Sequence, residues 1–167
     1  MFREMRRKKQ QMPDADAVGV LERGSHGVLA VPGDGGYPYA VPISYVYCGG
    51  KIYMHCAKSG HKLDAVRACG KASFCVVDAD DVVPEKFTTY YRSVIAFGRV
   101  REITDDAEKL SAIRALSAKY CPELPREKHE AEIELEWAPL HIIAMEIEHL
   151  TGKESRELAA RRTEKLN

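Results

Sequence analysis

The hydrophobic pattern of this chain changes its period near residue 60. Ile52, Met54 and Cys56 alternate with less apolar positions, as in a strand that buries one face. Leu63 and Val66 then recur at helical spacing. The pattern therefore predicts a strand that runs into a helix through a short glycine-containing segment.

Turn signals before this strand predict two hairpins. An apolar strand at residues 27–31 is followed by Gly33-Asp34-Gly35-Gly36, a run typical of a hairpin turn. A second turn, Cys48-Gly49-Gly50-Lys51, returns the chain into the strand that contains Met54. Two consecutive hairpins predict a meander, the usual start of an antiparallel sheet or barrel.

The rest of the chain divides into further elements. Amphipathic stretches with Pro or Asp near the first turn predict helices, and short apolar runs predict strands. Helices are expected at residues 13–23, 61–69, 105–120 and 126–136, and strands at 27–31, 37–47, 52–57, 72–77, 93–103 and 140–147. Six strands with helices between them predict a β-rich α+β fold.

Composition is consistent with a single compact domain. The 167 residues are 45% apolar, and 25 basic residues balance 25 acidic ones. This balance gives no indication of nucleic-acid or membrane binding. The one basic block, Arg3 with Arg6-Arg7-Lys8-Lys9, is interpreted as a solvated N-terminal arm over residues 1–12.

The cysteines and the N-terminus indicate the compartment. Five cysteines are an odd number and show no C-x-x-C spacing, so neither a zinc site nor a disulfide framework is expected. No apolar run is long enough to span a bilayer, and the charged N-terminus is not followed by an apolar stretch. We therefore expect a cytoplasmic protein without a metal site.

Candidate chemistry is concentrated where the strand meets the helix. His55, Lys58, His61 and Lys62 lie within eight residues of one another. The free N–H groups and positive dipole end of a helix start favour an anion, and these side chains add further donors. The cluster predicts a site for a phosphorylated cofactor or substrate, whereas the simpler interpretation is a solvated surface.

The preceding strand carries two prolines. Pro38 and Pro42 cannot donate to a strand ladder, so this strand must leave part of its backbone unpaired. Such a free edge is suited to hydrogen bonding with a planar heterocycle.

Several segments together resemble one family. They are Gly27-Val28-Leu29-Ala30, residues 36–47, residues 52–62, Ser73-Phe74-Cys75-Val76-Val77 and Phe87-Thr88-Thr89-Tyr90-Tyr91-Arg92-Ser93-Val94. In order and spacing they resemble the flavin-binding split barrels related to pyridoxamine 5′-phosphate oxidase, and within them the nitroimidazole-resistance branch. The resemblance runs from about residue 18 to residue 152. It implies a mainly antiparallel six-stranded split β-barrel over residues 13–152, with a helical or flexible tail at 153–167.

The resemblance also implies a cofactor, an assembly and residue roles. Flavin mononucleotide (FMN) would lie in each of two clefts of a homodimer. The phosphate would be held by the Gly60-His61-Lys62 segment with nearby residues, the ring would follow the proline-containing strand, and the second subunit would cover the cleft. The implied cofactor-binding residues are Pro42, Ile43, Ser44, His55, Ala57, Lys58, His61, Lys62, Thr88, Thr89, Tyr91 and Trp137.

Three functions remain open at this stage. The first is a flavin-dependent reductase of a small aromatic acceptor such as a 5-nitroimidazole. It would use His55 as an auxiliary proton donor, although His55 is equally suited to fixing the phosphate loop. The second is a flavin or haem carrier or sensor without turnover. The third, pyridoxamine 5′-phosphate oxidation, is disfavoured because His149-Leu150-Thr151-Gly152-Lys153 lacks the arginine and histidine pair expected there.

Overall fold

The computed structural model describes residues 2–164, in which seven strands form one antiparallel sheet. The strands are β1 (His26–Pro32), β2 (Pro38–Ser44), β3 (Val46–Cys48), β4 (Lys51–Cys56), β5 (Lys71–Val83), β6 (Thr88–Glu102) and β7 (His141–Glu154). The α-helices are α1 (Asp14–Arg23), α2 (His61–Ala68), α3 (Asp106–Tyr120), α4 (Arg126–Glu136) and α5 (Arg156–Glu164). The β-rich α+β class is confirmed, and α4 has the predicted bounds.

The order of the strands corrects two predictions. Neighbouring strands follow the order β2-β1-β5-β6-β7-β4-β3, so β2 and β3 lie at opposite ends of the sheet although they are consecutive in the chain. The single strand predicted at residues 37–47 is thus two strands, which gives seven strands and not six. The predicted meander is also wrong, because β4 pairs with β3 and β7 and does not pair with β2.

Tyr45 is the residue that separates these two strands. Its side chain is fully buried, and its hydroxyl donates to the Leu21 carbonyl at 2.8 Å. Its backbone N–H donates to the Tyr120 hydroxyl at 2.9 Å, and that hydroxyl lies 3.0 Å from the Tyr45 carbonyl and also contacts the Ser25 carbonyl. The backbone of Tyr45 is therefore satisfied by a side chain of α3, and the chain leaves one end of the sheet for the other here.

The sheet curls around one core and carries a second on its outside. The larger core fills the interior with side chains such as Leu29, Met54 and Phe74. The smaller core lies between the sheet and α3, where Ala112 and Leu116 pack against β7. The sheet ends are joined covalently at Tyr45 but no ladder joins β2 to β3, so the sheet is not closed, in agreement with a split barrel.

β5 and β6 form a hairpin, and both are longer than the strands predicted at residues 72–77 and 93–103. The apolar pattern of β5 ends near Val77, but the strand continues through Asp80 and Asp81 as far as Val83. Aspartates are uncommon in strands, so these two residues led to a predicted strand that ended at residue 77. The hairpin turns at Phe87, whose side chain is 99% exposed and whose backbone is left-handed (φ 49°).

The segments at both ends of the described chain are attached to the sheet. Met12 is buried, and its backbone N–H donates to the Gly152 carbonyl at 2.9 Å. Glu154, the last residue of β7, is fully buried and accepts from Arg92 at 3.1 Å and from Arg162 at 2.7 Å. The second contact holds α5 against the sheet. No helix within residues 2–164 is long and apolar enough to cross a bilayer.

We predict that Tyr120→Phe lowers the free energy of unfolding by about 1–3 kcal/mol, because the buried backbone groups of Tyr45 lose their partner. Urea denaturation checks this. Tyr37→Phe, the same change at a 78% exposed side chain, is the control and should shift stability by less than about 0.5 kcal/mol. Equal stability of the two variants would show that Tyr120 does not stabilise the junction.

Candidate functional site

The cationic corner is the junction of β4 and α2 and comprises His55, Lys58, Gly60, His61 and Lys62. Gly60 precedes α2 with φ of 123°, a backbone conformation that favours glycine. Its carbonyl accepts hydrogen bonds from the backbone N–H groups of Leu63 and Asp64, at 2.9 and 3.1 Å. The N–H groups of His61 and Lys62, the first two residues of α2, therefore have no acceptor within the helix, as is usual at a helix start.

The lysines give this corner a positive potential. Among the described residues, neither Lys58 nor Lys62 has an acidic partner within 4 Å. The ring of His55 remains exposed to solvent on one side, but its partial desolvation lowers its pKa, and the charge of Lys62 lowers it further. Burial and the charge of Lys58 likewise lower the pKa of Lys109 on α3. The corner thus combines a helix start with unpaired cations, a combination that favours a phosphate.

His61 is positioned by β2. Its ring stacks on that of Tyr39 with centroids 4.0 Å apart, and its Nε2 lies 3.6 Å from a carboxylate oxygen of the exposed Asp34. Sequence reasoning gave Tyr39 no defined role. Its contact brings the strand predicted to bind the flavin ring beside the helix predicted to bind the phosphate, and nothing in the local pattern indicates it.

Pro42, Ile43 and Ser44 lie on β2, which is an end strand of the sheet. They pair with β1 on one side, and no strand of the described chain pairs with them on the other. The exposed edge predicted from the prolines is therefore present. The side chain of Ile43 packs against the core, so its backbone is the part available to a ligand at this edge.

Thr88, Thr89 and Tyr91 lie far from the corner within one chain. They occupy the start of β6, whereas the end of β6 at Glu102 lies beside His141, the register partner of Cys56. At a rise of about 3.3 Å per residue, the fourteen steps from Thr88 to Glu102 span roughly 46 Å along the strand. One chain therefore does not bring these three residues to the corner.

Trp137 follows α4 and contacts Lys109. The Lys109 ammonium lies 3.9 Å from the centroid of the Trp137 ring and donates to the Trp137 carbonyl at 3.0 Å. The residue before Trp137, Glu136, lines the same cavity as His55 and Ala57, so Trp137 lies on the same side of the molecule as the corner. Ala57 and Lys58 are exposed in the bend between β4 and α2.

A cavity of about 530 Å³ opens beside the corner, between the end of β4 and the helices α3 and α4. We call it the α4 cavity. Its lining residues are His55, Cys56, Ala57, Ile113, Ser117, Glu132, Ile133, Glu136, Pro139 and Leu140. The sequence pointed to the residues of β4 that line this cavity but not to those of α3 and α4. The packing of α4 across β4 leaves no pattern in the local sequence.

Comparison with known proteins identifies the family. A family model described as pyridoxamine 5′-phosphate oxidase matches residues 13–154. The match spans most of the chain, so the protein belongs to the pyridoxamine 5′-phosphate oxidase family, as the sequence motifs predicted. Among proteins with curated functions, none matches the chain significantly.

Solved structures share the fold at low identity. A candidate 5-nitroimidazole antibiotic resistance protein from Bacteroides thetaiotaomicron is 17% identical, with a TM-score of 0.71 and 86% of each chain covered. A conserved protein from Mycobacterium tuberculosis is 16% identical, with a TM-score of 0.80 over 93% of this chain and 92% of the other. A FAD-binding protein from Mesorhizobium loti is 24% identical, with a TM-score of 0.66 over 87% of this chain and 97% of the other.

We predict that the pKa of the His55 ring, measured by NMR titration, lies below about 6.5, the ordinary value for histidine. Lys62→Met should raise this pKa only part of the way back, because burial is the larger cause. Lys128→Met, on the exposed side of α4, is the control and should leave it unchanged.

The lowered pKa also sets the sign of a pH effect on stability. The unfolded chain binds the His55 proton more tightly than the folded chain does. Stability therefore rises with pH between the pKa of His55 in the folded chain and its pKa in the unfolded chain. The contribution of His55 is complete above the unfolded pKa and is lost as the pH falls below it. A His55 pKa at or above the ordinary value would contradict both expectations.

Proposed function

We propose that the protein is an FMN-dependent oxidoreductase that reduces a small aromatic acceptor such as a 5-nitroimidazole. The observation that carries the proposal is the cationic corner, where Lys58, His61 and Lys62 surround a helix start next to a free strand edge. This arrangement fits a ligand that has a phosphate at one end and a planar ring at the other. Family membership and the FAD-binding relative from Mesorhizobium loti support a flavin as that ligand.

Each element of the site then has a role. Lys62 supplies a charge to the phosphate, and Lys58 adds to the positive potential. The backbone of β2 at Pro42, Ile43 and Ser44 offers hydrogen-bonding groups to the polar edge of the ring. The bound flavin supplies the electron or hydride transfer, as cofactors do in such enzymes. His55 borders both the corner and the α4 cavity, so its ring is placed to pass a proton to a molecule bound there.

We further propose a homodimer in which Thr88, Thr89 and Tyr91 of one subunit cover the flavin of the other. The length of β6 supports this, because these residues cannot reach the corner of their own chain. In the register of β5 with β6, Val82 opposite Thr89, Asp80 opposite Tyr91 and Val77 opposite Ser93 share one face, which also includes Ile95. Val77 and Val82 are 62% and 70% exposed, and such a face is suited to a protein partner.

Light scattering of the purified protein is expected to give the mass of two chains. Val82→Lys, on this exposed face, should shift the mass towards one chain, because burying the lysine charge in an interface opposes association. Glu85→Lys, a nearby exposed position in the hairpin turn, serves as the control. A monomer that binds one FMN per chain tightly would show that the hairpin does not act across an interface.

All five cysteines are free thiols, which supports the proposal that the protein is cytoplasmic.

We predict that Lys62→Ala weakens FMN binding by roughly 1.5–3 kcal/mol, the range for a hydrogen bond to a charged group. His61→Ala should act in the same direction. Fluorescence titration of the stripped protein with FMN measures the change, and Lys128→Ala controls for the loss of one positive charge. If Lys62→Ala and His61→Ala retain the affinity of the unaltered protein, the corner does not bind the phosphate.

We predict that a nitroimidazole accelerates reoxidation of the chemically reduced protein in anaerobic stopped-flow experiments. The absorbance spectrum of the purified protein is recorded first, because a Soret band in place of flavin bands would indicate a haem carrier. If flavin is present and no nitroaromatic reoxidises it faster than buffer does, a carrier or sensor role replaces the reductase. Pyridoxamine 5′-phosphate is tested in parallel as a substrate of the oxidised protein.

A further inference from the structure

We propose that the α4 cavity binds a small aromatic molecule that carries a positive charge, such as a protonated amine, and that Glu132 and Glu136 select this charge. The role of such a molecule as the electron acceptor rests on the function proposed above, whereas its binding does not. The proposal is based on the size of the cavity, its apolar walls and its charges.

The size and walls of the α4 cavity suit an aromatic ring. Its volume of about 530 Å³ lies within the usual range of small-molecule sites. Ile113 of α3, Ile133 of α4 and Leu140 before β7 contribute apolar surface. Ile133 is 7% exposed, so part of this wall is fixed by packing. A flat apolar ligand can thus be buried here without displacing the core.

The charges of the cavity lie on α4. Glu132 and Glu136 are one helical turn apart and therefore share a face. Among the described residues, neither has a cationic partner within 4 Å, whereas Glu130 on the same helix pairs with Arg114 at 2.6 Å. Two like charges at this spacing repel each other, and a cation between them removes the repulsion.

The β4 wall of the cavity does not neutralise these carboxylates. The lowered pKa of His55 disfavours the charged form of its ring, and burial raises the pKa of the Cys56 thiol. On the α3 side of the cavity, the Ser117 hydroxyl is already hydrogen-bonded to His129. Lys62 acts on His55 from the side of the corner. A ligand in the cavity is thus expected to point its positive end towards α4 and its neutral end towards His55.

The test uses three nitroaromatic probes that differ mainly in charge. They are 4-nitrobenzylamine, which is protonated at pH 7, the neutral 4-nitrobenzyl alcohol and the anionic 4-nitrobenzoate. Calorimetric titration of the purified protein with its native cofactor is expected to show the amine binding at least about fivefold more tightly than the alcohol, since two ion pairs with exposed carboxylates together contribute about this much. The benzoate should bind most weakly, and added salt should reduce the preference for the amine.

Two variants test whether Glu132 and Glu136 cause the preference for the amine. The double change Glu132→Gln with Glu136→Gln should remove the preference for the amine and leave binding of the alcohol within about twofold. Glu134→Gln removes one carboxylate charge from a position of α4 that does not line the cavity, and it should retain the preference. Circular dichroism checks that each variant is folded. NMR should show that the amine shifts the ring signals of His55.

The outcomes separate this inference from the proposed function. Equal binding of the three probes, tighter binding of the benzoate, no binding of any probe or loss of the preference in Glu134→Gln would overturn the inference. A preference for the amine without faster reoxidation of the reduced protein would support the binding site and contradict the reductase function. Equal acceleration of reoxidation by all three probes, with equal binding, would support the function and contradict the inference.

Discussion

The fold depends on the junction at Tyr45, where one residue joins the two ends of a seven-stranded sheet. Because a single residue has little reach, β2 and β3 can lie at opposite ends of the strand order only if the sheet curls until those ends are close together. The junction backbone cannot be paired within the sheet, and the Tyr120 hydroxyl satisfies it from α3. The curvature of the barrel and the position of α3 are therefore linked.

The candidate site is a consequence of this curvature. Curling the sheet brings β2 beside the start of α2, where Tyr39 stacks on His61. The free edge around Pro42 and the cationic corner around Lys62 consequently lie on the same side of the molecule. Thr88, in contrast, lies at the far end of the long strand β6 and is distant from the corner of its own chain.

Charge is divided between two adjoining regions. Lys58 and Lys62 make the corner positive, while Glu132 and Glu136 make the outer wall of the α4 cavity negative. His55 lies between them, and its lowered pKa disfavours the charged form of its ring. An anionic cofactor and a cationic acceptor would therefore be directed to different places, and a neutral imidazole at their boundary would repel neither.

Local patterns in the sequence determined the elements that depend on near neighbours. The period change near Gly60 predicted the junction of β4 with α2. The charged stretch from Arg126 to Glu136 predicted α4. The prolines of β2 predicted its free edge. Local patterns did not reveal the division at Tyr45, the contact of Tyr39 with His61 or the α4 cavity. These features depend on residues far apart in the chain, such as Tyr45 and Tyr120, and only the packing of the curled sheet brings those residues together.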